Sequence, residues 1–97
     1  MQFLVTITWR AGATAAQNRA AAGVVQRRLM MPHEGVKIMN TVADLGRRKL
    51  YIVADVTEEA VNNIQDTLEL TSQPAIDSIE TTLVVDGKKA INTFLTM

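Results

Sequence analysis

Cysteine is missing from this sequence altogether, which excludes disulfides, thiolate metal sites and a cysteine nucleophile, and fits a reducing cytoplasm. Histidine occurs once, as His33, and the carboxylates are scattered rather than set at ligand spacing, so no metal is expected. Neither charge sign prevails. Ten basic and ten acidic residues cancel, leaving no global field to steer nucleic acid or an anionic membrane to the surface. Aromatic residues are few, one Trp, one Tyr and two Phe, and without a basic excess they do not make the stacking platform of an RNA-binding sheet. No apolar run approaches the roughly eighteen residues of a membrane helix, and the opening MQFLVTITWR has neither a basic n-region nor a small-residue cleavage site. A cytoplasmic protein with no membrane or nucleic-acid partner is the expectation. The motifs GxGxxG and GxxxxGK[ST] are absent, so the phosphate cradles of dinucleotide and P-loop sites are absent too, and no cofactor is expected.

What is present is an ordinary apolar fraction, 47% of 97 residues, enough for one globular domain over residues 1–97. Phe3, Val5, Ile7 and Trp9 alternate with Leu4, Thr6 and Thr8, the period of a half-buried strand. Thr14 followed by Gln17 has the spacing of a capping box, predicting an Ala-rich helix to about Leu29 with Ala21, Val24, Val25 and Leu29 on one arc, ended by Pro32. Val36, Ile38 and Val42 alternate with Lys37, Met39 and Thr41 in a second strand. DLGRR then turns the chain into a third, Lys49 to Val56, and Arg47-Arg48-Lys49 reads as a solvated hairpin tip. Thr57 is the expected cap of a second helix, with Val61, Ile64 and Leu68 as its stripe and Pro74 at its end. Ile79 to Val85 reads as the fourth strand. Asp86-Gly87 has the composition of a tight hairpin turn, which predicts a short fifth strand over Ala90–Met97, with a final helical turn as the alternative.

The order β-α-β-β-α-β is the ferredoxin-like arrangement of the α+β class, an antiparallel sheet with both helices on one face. Phe3/Val5/Ile7/Trp9, Val36/Ile38/Val42 and Leu50/Ile52/Ala54/Val56 are expected against the helices. Leu4, Thr6, Thr8, Met39, Thr41, Tyr51, Val53 and Asp55 then line the other face, mixed rather than charged. Such a face is expected to be covered, most simply by a second copy of the same sheet in a homodimer.

The stretch from YIVADV through IQDTLELTSQPAIDSIETTLVV resembles the corresponding half of the muconolactone isomerase family. Tyr-x-Val-x-Asp-Val ends the third strand, a helix closes on Asp-Thr-Leu-x-Leu, and a proline-containing loop leads into an Asp-Ile-type fourth strand. MQFLVTI is also similar in pattern, whereas the first helix agrees only in position and length. The resemblance implies a dimeric α+β barrel, two ferredoxin-like sheets closed round a cavity and often assembled further through the C-terminal tail. Relatives include cofactor-free oxygenases, polyketide cyclases and haem-degrading enzymes. Where the isomerases carry a histidine in the first strand this chain has Leu4, and their aromatic and basic residues in the second strand are replaced by Met39, Asn40 and Thr41.

Proton transfer near a carbonyl wants a base working close to neutral pH. His33 is the one side chain whose ordinary pKa lies there, and Asp55 would reach that range if a cavity desolvated it. Tyr51 would donate its O–H to a developing enolate. These three are the catalytic candidates. Leu4, Thr6, Thr8, Arg10, Met39, Thr41 and Val53 are the candidate substrate contacts, Arg10 for a carboxylate beside Trp9 for a ring. Glu80 and Thr82, on the alternate face of the fourth strand, are weaker candidates. The expected function is a small-molecule enzyme, isomerising, cyclising or oxygenating a small lactone, aromatic or polyketide without a cofactor. The alternative is a non-catalytic ligand-binding or assembly protein with the same barrel. Haem degradation would need an iron ligand, and His33 alone could serve.

Overall fold

Two apolar periods, one of strands and one of helices, meet on a single layer of sheet. The computed structural model describes residues 1–31, 33–65 and 68–97, the side chains at 62–65, 68 and 69 excepted. Four strands, β1 (Gln2–Trp9), β2 (Val36–Asp44), β3 (Lys49–Val56) and β4 (Ile76–Val84), pair antiparallel in the order β2-β3-β1-β4. This small α+β architecture is compatible with a ferredoxin-like fold.

The first helix, α1 (Ala15–Met30), starts where its capping box dictates. The Gln17 N–H donates to Thr14 Oγ1 (3.1 Å) and the Thr14 N–H donates to Gln17 Oε1 (3.0 Å), so two backbone donors that a helix start leaves unpaired are satisfied. Ala21, Val24 and Val25 are buried and Leu29 is partly so, packing with Ile7, Ile52, Leu70, Ala75 and Ile76 into the main core. A smaller cluster, Ala54, Val56 and Ala60, continues it towards the far end of β3. Each fully buried Val or Ile contributes about 1.5–3 kcal/mol, so these residues hold the helices to this side of the sheet. Pro32, the expected end of α1, lies outside the described residues.

Between β3 and β4 the chain departs from expectation. In place of one long α-helix there is a 3₁₀ helix (Glu58–Gln65) and a single α-turn, α2 (Leu68–Thr71), ending before Pro74. Of the expected stripe, Val61 is half-buried against the smaller cluster; the side chains of Ile64 and Leu68 lie outside the described set, as does most of the Asp-Thr-Leu-x-Leu segment. Gly35 anchors this region. Its φ is +78°, its carbonyl accepts from the Thr57 N–H (2.9 Å), and a Cβ built on it would lie 2.5 Å from Thr57 Oγ1 and 2.9 Å from Ala60 Cβ.

The fourth strand begins three residues earlier than predicted, at Ile76. After it, Asp86-Gly87 is not a hairpin turn. Asp86 caps a third helix, α3 (Gly87–Leu95), its carboxylate accepting from the N–H groups of Lys88 (2.9 Å) and Lys89 (3.1 Å). Asp serves equally as a turn residue and as an N-cap, and Ala90, Ile91, Phe94 and Leu95 have helical spacing, which decides against the fifth strand. None of the residues of α3 is buried. Among the described residues no helix is long and apolar enough to cross a membrane.

Candidate functional site on the open face of the sheet

Strand register shows which side chains stand together, because directly paired residues share a face. Opposite the helices, the pairing sets out four cross-strand rows running from β2 through β3 and β1 to β4. One end row is Lys37, Asp55, Gln2 and Val84. The two middle rows are Asn40, Val53, Leu4 and Thr82, then Val42, Tyr51, Thr6 and Glu80. The other end row is Asp44, Lys49, Thr8 and Ser78. Of the five charged residues on this face, four lie in the end rows, where Lys37 stands beside Asp55 and Asp44 beside Lys49. Apart from the Asn40 amide at its edge, the middle is apolar and hydroxylic, with Glu80 its one charge.

One sequence expectation is overturned by a bulge. Ile38 pairs with Ala54 and Asn40 with Val53, consecutive residues of β3, so Met39 is an extra residue without a partner. Beyond it the alternation of β2 is reversed. Thr41 now pairs with Ile52 on the helix side and Val42 with Tyr51 on the open side, the opposite of the faces predicted for both. Thr41 is therefore removed from the open-face set. Periodicity within β2 could not show this, since the extra residue is defined only by its partner strand.

The other candidates divide. Leu4, Thr6, Thr8, Tyr51 and Val53 are neighbours on the open face, all half-buried. Met39 sits at the bulge on its margin, 48% exposed. Asp55 is four residues from Tyr51 along the same strand, about 13 Å at the rise of an extended chain, so the two do not reach one reacting atom. Its side chain is 51% exposed and lies 3.4 Å from the Met1 ammonium. His33 is exposed and lies in the loop before β2, where its carbonyl accepts from the Val36 N–H (3.1 Å). Because Val36 pairs with Val56, His33 stands past the Asp55 end of the sheet, farther still from Tyr51. Arg10 lies just past the end of β1, outside the four rows, and is exposed on the lining of a cleft with Trp9 and Asn18. The three catalytic candidates thus do not converge.

Register instead brings Glu80 into play. It pairs with Thr6, which pairs with Tyr51, so a carboxylate and a phenol flank one hydroxyl at about 10 Å between their backbones, two strand spacings. Spacing along a single strand could not reveal this; knowing that β1 lies between β3 and β4 would have. At the end of the face the Lys49 ammonium lies 3.4 Å from Thr8 Oγ1. Among the described residues no group of three or more His, Cys, Asp or Glu side chains could hold a metal ion.

No curated protein matches the chain. A family model does, over residues 1–89, which takes in all four strands and ends within the first turn of α3. The chain belongs to the family described as a domain of unknown function, DUF3303.

Proposed function

We propose that two copies of this chain pair through their open sheet faces and enclose a chamber for a small, mainly apolar molecule, on which Tyr51 and Glu80 perform cofactor-free proton transfer. The observation that carries this reading is the distribution of charge. Four of the five charged side chains on the face stand in its end rows, as at the mouths of a chamber, while the middle rows offer apolar and hydroxyl groups of the kind that line ligand sites. Both core clusters lie on the other side and α3 has no buried residue, so none of these described elements closes the face. The resemblance of residues 51–85 to the muconolactone isomerase family supports the same barrel.

In the proposed reaction the Glu80 carboxylate takes a proton from the carbon next to a carbonyl while the Tyr51 O–H donates a hydrogen bond to the oxygen that becomes an enolate. Return of that proton to a different carbon completes an isomerisation, with no electrons gained or lost. Thr6 lies between the two groups and orients the substrate oxygen. Tyr51 plays the part assigned to it from sequence, and Glu80 replaces Asp55 and His33 as base.

The test combines association and binding. Sedimentation of the wild type should give a dimer, and Val53→Lys, which places a charge in the middle of the face, should give a folded monomer. A thermal-shift screen of small lactones and aromatic ketones should find ligands that stabilise the wild type, because a molecule that binds only the folded state raises its midpoint. Glu80→Gln should keep such binding and abolish exchange of the ligand's α-proton with solvent deuterium, read by NMR. A wild-type monomer, or exchange unaffected by Glu80→Gln, would sink the proposal.

A further inference from the structure

The helix side of the sheet has a cleft of its own at the hairpin end, of about 420 Å³, within the size range of small-molecule sites. Trp9, Ala13 and Leu50 supply an apolar wall, and Arg10, Arg48 and Asn18 are on its lining. The backbone builds it firmly. The Trp9 N–H donates to the Arg48 carbonyl (2.8 Å) and the Arg10 N–H to the Ala75 carbonyl (2.7 Å), so the hairpin and the approach to β4 are both tied to the end of β1.

Charge in this cleft is not balanced. Asp44, from the end row of the open face, also reaches the rim of this cleft at the hairpin end, where its carboxylate is occupied by Arg47, accepting from its N–H (3.2 Å) and lying 3.8 Å from its Nε. Lys49 is directed to Thr8 on the opposite face. Among the described residues neither the Arg10 nor the Arg48 guanidinium has a hydrogen-bond or ion-pair partner. Arg48 is also in an unusual place. It has a φ of +56° and is the one non-glycine residue in the left-handed region among those described. Hairpin loops commonly put glycine at such a position, yet the glycine of this loop, Gly46, has no positive φ. An L residue is strained there, and strain that persists where glycine would relieve it points to a use for the side chain.

We propose that this cleft is a second binding site and takes a small aromatic carboxylate. Guanidinium forks match a carboxylate in two parallel charge-assisted hydrogen bonds, and the indole with its aliphatic neighbours accepts a flat ring. A bare phosphate would use the arginines and leave the apolar wall wet. The cleft is across the sheet from Tyr51 and Glu80, so it is separate from the chamber proposed above.

Trp9 is the only tryptophan in the chain, so its fluorescence reports on this cleft directly. Titration with benzoate should change the emission saturably, and benzamide, of the same shape without the charge, should bind at least about tenfold more weakly. Arg10→Ala and Arg48→Gly should each weaken benzoate by about tenfold or more. Arg48→Gly should melt no lower than the wild type, since glycine is at ease at this φ, which separates a lost contact from a lost fold. Tyr51→Phe should leave benzoate affinity unchanged. Equal binding of benzoate and benzamide, phosphate binding as tight as benzoate, no saturable response at millimolar benzoate, or full affinity in Arg48→Gly would each overturn the proposal.

Discussion

Ile52 and Val53 are adjacent in β3, alike in chemistry and in preference for strands, yet Ile52 is in the core at 7% exposure while Val53 stands on the half-exposed open face. The same contrast runs through the whole sheet. On the helix side β3 presents Leu50, Ile52, Ala54 and Val56, an unbroken apolar line; on the open side it presents Lys49, Tyr51, Val53 and Asp55. Stability is concentrated on the first face, where side chains are closely surrounded and each methyl group counts. The second face is released from that constraint and free to carry a phenol, hydroxyls and a carboxylate. The contrast breaks most visibly if truncations on the two faces cost the same. Ile7→Ala, removing a side chain only 1% exposed, should lower unfolding free energy by about 3 kcal/mol, whereas Leu4→Ala should cost about 1 kcal/mol or less. Urea unfolding, at concentrations low enough that association adds nothing, measures both. Similar losses would mean that the open face belongs to the chain's own core.

A backbone position on the helix side sharpens the comparison next. Gly35 meets two separate demands, a positive φ and an approach too close for any Cβ. Gly35→Ala should cost about 2 kcal/mol or more, combining the left-handed strain of an L residue with displacement of Thr57 and Ala60. Since Ala60 belongs to the cluster with Ala54 and Val56, the same urea measurement should show the loss. A variant as stable as the wild type would show that this end of the core yields easily.

What could be read from the sequence follows the range of the interactions involved. Thr14 and Gln17 are three residues apart and satisfy each other, so the start of α1 is written locally. The apolar lines of β1 and β3 are equally legible, because a strand's own alternation assigns its faces. Asp86 is local too but ambiguous, its carboxylate fitting a turn or a cap, and the spacing of Ile91, Phe94 and Leu95 had to break the tie. The candidate site was less legible because it depends on partners far apart in sequence. Tyr51 was found by the chemistry of its side chain, whereas Glu80 acquires its role only when β1 is set between β3 and β4. Arg48 reads as a solvated hairpin tip until its φ is known.

The smallest expected effect tests the part of the open face that sequence periodicity misassigned. If Met39 is the unpaired residue of a bulge, then on β2 it alone can be removed without moving any other pair. Ile38 and Asn40 already face Ala54 and Val53, neighbours on β3, so deleting Met39 would join them into a regular ladder and leave Val42 beside Tyr51 and Thr41 beside Ile52. Met39 is also 48% exposed, so little apolar burial is lost. The deletion should change stability by no more than about 1 kcal/mol, with the remaining strain set by the altered twist of the edge strand. Deleting Thr41 instead would also let the ladder close, but only by turning Asn40 from Val53 to Ile52 on the helix side and bringing Met39 opposite Val53, so it should cost more than the Met39 deletion. Cross-strand contacts of α-protons and amide protons, which alternate between adjacent pairs, measured by NMR in the wild type and in the Met39 deletion, distinguish the outcomes. Retention of the Val42–Tyr51 and Thr41–Ile52 pairs confirms the bulge. Pairing of Thr41 with Tyr51 would mean that β2 alternates without interruption, and would return Thr41 to the open face and Val42 to the helices.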